Sequence, residues 1–117
     1  CFTSDCFGAP MPSADVALST DVGALPAEDL RASQRLWASV DSPWVHVVDP
    51  DRFLSTVEPL RAMDPQTILC THLPPAVGQT TQFIDTLAAL PGLDPFSGPD
   101  QAALEQMLAN FEPGGAG

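Results

Sequence analysis

The chain has 117 residues, enough for one domain, and its hydrophobic content of 44% is enough to build a core. Fifteen acidic side chains against four arginines and no lysine give a net charge of −11, which repels phosphate backbones and anionic lipid and so argues against nucleic-acid and membrane partners. No run of about 18 apolar residues appears, so no membrane span is expected.

Taken in order, Phe2-Thr3-Ser4-Asp5-Cys6-Phe7-Gly8-Ala9 reads as a short strand that delivers a carboxylate just before a glycine turn. The sequence opens without methionine inside this run and without a charged-then-apolar leader, which fits the rear portion of a larger protein. From Gly8 to Leu25 no periodicity emerges, and prolines and serines mark a long loop beside that strand end. A first helix is predicted to start near Pro26, with Glu28 and Asp29 in its first turn and Leu30, Leu36, Trp37 and Val40 on its buried face. Trp44 to Val48 can form either a helical turn or a strand.

Asp49-Pro50-Asp51 is a strong helix start, followed by Phe53, Val57 and Leu60 on one face with Leu54 and Met63 beside them. Pro59 should kink that helix or end it early, and Asp64-Pro65 should stop it. Thr67-Ile68-Leu69-Cys70-Thr71 reads as a buried strand closed by His72 and a proline pair. The next helix follows Gly78-Gln79, with Thr80 or Thr81 as its side-chain cap, a stripe of Phe83, Ile84, Leu87 and Leu90, and Pro91-Gly92 at its end. Ser97-Gly98-Pro99-Asp100 opens a last helix, in which Leu104, Met107, Leu108 and Phe111 recur at amphipathic spacing before Pro113-Gly114-Gly115. About four helices and two confident strands point to an α/β class. Because two strands alone are marginal, more sheet is expected from elsewhere in a larger protein.

Two strand-end side chains, the Asp5 carboxylate and the His72 imidazole, are candidate metal ligands. A carboxylate can hold two ions about 3.5–4 Å apart, and a neutral imidazole ligates at about 2.0–2.1 Å. Cys6 is the rival ligand, but in an extended strand it faces away from Asp5. His46, among Trp44, Val45, Val47 and Val48, reads as a packed structural histidine, and Trp37 and Trp44 as packing residues. Three cysteines without regular spacing form no disulfide framework and fit a reducing, cytoplasmic setting, with Cys70 a small buried residue. There is no G-x-S-x-G elbow, dinucleotide glycine fingerprint or Walker lysine.

The segments Phe2 to Ala9 and Ile68-Leu69-Cys70-Thr71-His72-Leu73-Pro74-Pro75-Ala76 resemble the last two metal-ligand segments of the metallo-β-lactamase fold, most of all its oxygen-binding di-iron flavodiiron variety. Asp94 to Asp100 with the last helix is similar to the tail of such domains. The resemblance implies that residues 1–117 are the C-terminal half of a four-layer αββα sandwich. It implies a site of two divalent metal ions, zinc or iron, in which Asp5 is the bridging aspartate and His72 the final histidine. The family's H-x-[HE]-x-D-H segment has no counterpart here. The activity implied is hydrolysis of a small-molecule substrate by metal-activated hydroxide, with di-iron oxygen or nitric oxide reduction as the alternative. A third reading, from the residues alone, is a metal-free acidic helical interaction module; homo-oligomerisation stays open.

Overall fold

A computed structural model describes residues 1–111. Among them lie five α-helices and a two-stranded antiparallel sheet, so the chain is α/β and mostly helical. In order these are α1 (Ala14–Ala17), α2 (Ala27–Asp41), α3 (Pro50–Met63), β1 (Thr67–Ile68), β2 (Ala76–Val77), α4 (Thr80–Ala89) and α5 (Gln101–Asn110). Single 3-10 turns occupy Val22–Ala24, Pro43–Val47 and Leu90–Gly92. The Trp44 segment is therefore helical, and the expected long loop contains α1 and the first of these turns.

Helix α2 begins directly after Pro26, carries Glu28 and Asp29 in its first turn, and ends at Ser42 before Pro43. Its buried face is not the expected one. Leu30 and Gln34 are buried and Trp37 half-buried, whereas Leu36 and Val40 face solvent. At 100° per residue, positions 30, 34 and 37 share one stripe, and 36 and 40 fall outside it.

Helix α3 starts as its sequence dictates: the Asp49 side chain accepts from the Arg52 amide (2.9 Å) and Pro50 takes the first helical position. Pro59, expected to kink the helix or end it early, does not end it. Pro59 and Ser55 are both exposed, so water can satisfy the Ser55 carbonyl left without an amide donor. The helix stops at Asp64, which turns left-handed at φ 42° ahead of Pro65. Val57 is buried, while Leu54 and Met63 are exposed.

The predicted strand at Thr67 is shorter than its apolar run, yet it organises the molecule. One edge of β1 pairs antiparallel with β2, Thr67 opposite Val77 and Ile68 opposite Ala76. Its other edge runs parallel to the start of the chain: the Leu69 amide donates to Cys1 O (2.8 Å), Thr3 to Leu69 O (2.9 Å) and Thr71 to Ser4 O (2.9 Å). The opening run is thus one bridge, Phe2 to Leu69, rather than a full strand, because Ser4 at φ 52° turns the chain away.

Helix α4 has no side-chain cap. Thr80 instead donates its hydroxyl to Pro65 O (2.6 Å), fastening the helix to the turn between α3 and β1. Phe83, Ile84 and Leu90 are buried, and Arg61 of α3 reaches Asp85 of α4 at 2.9 Å. The core joins Ala9, Val22, Leu30, Ile68, Ala76 and Phe83, with Phe7, Met11, Leu25 and Leu73 packed around it. Helix α5 is capped by Asp100, which accepts from the Ala103 amide (2.8 Å), but it buries no residue. Its apolar stripe is present and faces solvent. The expected stop at Pro113-Gly114-Gly115 lies outside the described residues.

Candidate functional site

Asp5 sits in a turn between two left-handed residues, Ser4 at φ 52° and Phe7 at φ 70°. For L side chains that region is costly, so neighbouring contacts must hold it. Three do so. Gln34, buried, donates to Phe7 O (3.1 Å); the Trp37 indole donates to Asp5 O (3.0 Å); and the Gly8 amide also donates to Asp5 O (3.1 Å). Gln34 and Trp37 lie three apart on α2 and present adjacent side chains to the turn. Phe7 itself leans on Phe83 of α4, ring centroids 5.4 Å apart.

His72 follows the β1 segment, and its carbonyl accepts from the Ala9 amide (3.2 Å), which ties it to the same turn. The ring stacks obliquely on Trp37, centroids 4.5 Å apart. Its Nε2 lies 3.1 Å from Asp5 Oδ1, and the Thr71 hydroxyl donates to that same oxygen (2.6 Å). Since a carboxylate only accepts, Nε2 is the donor of this contact. Both side chains are about half exposed.

The structure therefore brings Asp5 and His72 together. It changes the geometry expected of Cys6, which departs from Asp5 through a turn and not through strand alternation. Cys6 as a whole keeps contact with solvent. Even so, protein atoms packed around its sulfur, with Cys70 as the second cause, push its thiol from 9.0 up to about 11. Burial likewise raises Cys70. Both thiols therefore hold their protons more tightly than a free cysteine does. Cys1 is exposed, and its terminal ammonium donates to Thr67 O (2.9 Å).

His46 lies apart from this group, with Nδ1 3.0 Å from Leu93 O and Nε2 2.7 Å from Ser39 Oγ. Both ring nitrogens are engaged in joining α2 to the segment after α4. Trp44 packs edge-on to Phe53, centroids 6.4 Å apart. Gln34, Trp37 and Thr71 were not singled out as site residues from the sequence. The recurrence of Leu30, Gln34 and Trp37 at i, i+4, i+7 was the signal for the first two.

As a donor set the pair fits a divalent ion in spacing, because two ligands each about 2.0–2.1 Å from one ion stand roughly 3 Å apart. It falls short in number: among the described residues no three of His, Cys, Asp and Glu converge, and a catalytic zinc site takes three protein ligands. No family model, curated protein or solved structure matches this chain.

Proposed function

We propose that this chain contributes Asp5 and His72 to a metal-dependent hydrolytic centre whose remaining ligands lie outside the described residues. On this reading it is the C-terminal half of a metallo-β-lactamase-type sandwich acting on a small-molecule substrate. The observation that carries the reading is the 3.1 Å approach of Asp5 Oδ1 to His72 Nε2, made by side chains from two remote segments of the chain. Two divalent ions in such a centre would lower the pKa of a shared water and supply hydroxide for hydrolysis. The chain's own part is positioning. Thr71 orients the carboxylate, and Trp37 holds both the imidazole ring and the carbonyl of Asp5.

Titration of the purified chain with zinc or ferrous iron tests this. Saturable, weak uptake is expected in the wild type and is lost in Asp5→Ala and in His72→Ala. A chain that takes up neither ion at millimolar concentration, or variants that bind it unchanged, would sink the reading. Preference for ferrous iron over zinc would move it toward the oxygen- or nitric-oxide-reducing alternative.

A second reading, a metal-free acidic interaction module, is favoured by α5 and the residue that ends it: Met107, Leu108 and Phe111 are 61%, 64% and 74% exposed. Cooperative unfolding of the chain with no response to either ion would support it over the first.

A further inference from the structure

Against the turn that carries Asp5 is an opening of about 260 Å³ lined from α2, α3, α4 and the Pro43–Val47 turn. Phe7, Trp37, Trp44 and Phe53 line it, and aliphatic side chains such as Val57 and Leu60 complete the wall. A cavity of ~150 Å³ accepts a benzene ring, so this volume admits one ring with a short alkyl chain.

The charge of its lining has one sign. Asp5 and Asp41 border it, and among the described residues no arginine or histidine does. Asp41 follows Trp37 by four residues and so lies on the same face of α2. Its Oδ2 accepts from the Ser42 hydroxyl (3.0 Å), and no arginine pairs with it among the described residues. It also stands in the last turn of the helix, where the dipole disfavours an anion and no basic residue compensates. A cation delivered there would relieve that repulsion, and aromatic faces attract an ammonium in their own right.

We propose that this opening binds a small arylalkyl ammonium ion, with its ring among Trp37, Trp44 and Phe53 and its charged head at Asp41. The inference shares Asp5 and Trp37 with the hydrolase reading, but it uses no metal and places the charged head at Asp41 rather than at the Asp5–His72 pair.

The test exploits the fact that the chain has two tryptophans and both line the opening. In metal-free buffer with chelator, tryptophan emission is followed against 3-phenylpropylamine, the isosteric 3-phenylpropanol and 3-phenylpropanoate. The amine is expected to give a saturable change and to bind roughly five- to tenfold tighter than the alcohol, with the carboxylate weakest. Added salt should weaken the amine alone. Asp41→Asn, which removes a charge the helix end disfavours and so does not threaten folding, should cost the amine roughly three- to fivefold and leave the alcohol unchanged. Trp44→Phe keeps Trp37 as the single reporter and should retain the response. Equal binding of amine and alcohol would mean an incompletely filled core without charge selection and would overturn the proposal, as would no saturable signal from the amine. Either failure leaves the metal titration of Asp5 and His72 standing on its own result.

Discussion

Phe7 holds a φ of 70°, a conformation that side-chain-bearing residues avoid, and the residue after it explains how that is sustained. Gly8 is buried against the Trp37 indole, and a β-carbon built there would lie 2.6 Å from Trp37 Nε1. The absence of a side chain at Gly8 lets Trp37 reach Asp5 O on one side and the His72 ring on the other. Gly8→Ala should therefore push the indole out, break its hydrogen bond to Asp5, and destabilise the chain by about 1–3 kcal/mol. Chemical denaturation would show a lower midpoint, and the tryptophan emission of the native state would shift to the red. An unchanged spectrum would mean that Trp37 does not rest on Gly8.

At the scale of elements, α3 combines a strong beginning with an interior flaw. The Asp49 cap and Pro50 start the helix through purely local bonds, whereas Pro59 removes one amide donor from its third turn. Asp49→Ala should lower stability by about 1 kcal/mol, as measured by the urea midpoint. Pro59→Ala should raise it by about 1 kcal/mol or more, since proline inside a helix is the least favourable residue and this one is exposed. If Asp49→Ala proved neutral, the cap bond would not be what starts α3.

As a whole, the described fold is extended. Its radius of gyration is 16.8 Å, against about 13 Å for a compact domain of this length. Helix α5 is part of the reason: it is amphipathic in sequence yet covers nothing in the described fold. A chain ending at Gly98 should consequently unfold at the same temperature as the full chain, with a change below about 0.5 kcal/mol, in a calorimetric scan. A drop of several degrees would instead show that α5 docks on the rest. No helix among the described residues is long and apolar enough to cross a membrane.

What the order of residues determined by itself is mostly local. Pro26, the Asp49-Pro50 pair, Gly78-Gln79 and Asp100 mark helix starts within a residue or two, because caps, prolines and first-turn charges act over a few bonds. The phase of the α2 stripe escaped that logic, since Leu36 and Val40 are apolar enough to suit a core that lies elsewhere. The Asp5–His72 pair was legible only as two candidate ends, remote in the chain, with no local signal that they meet. Their approach depends on parallel pairing of residues 1–4 with the β1 segment, and the turn beneath them depends on Gln34 and Trp37. Both are contacts between residues far apart in the chain, and nothing in the local periodicity of either partner specifies which surface the other will meet. Only the folded arrangement placed the imidazole on the indole, and the aromatic opening beside Asp41.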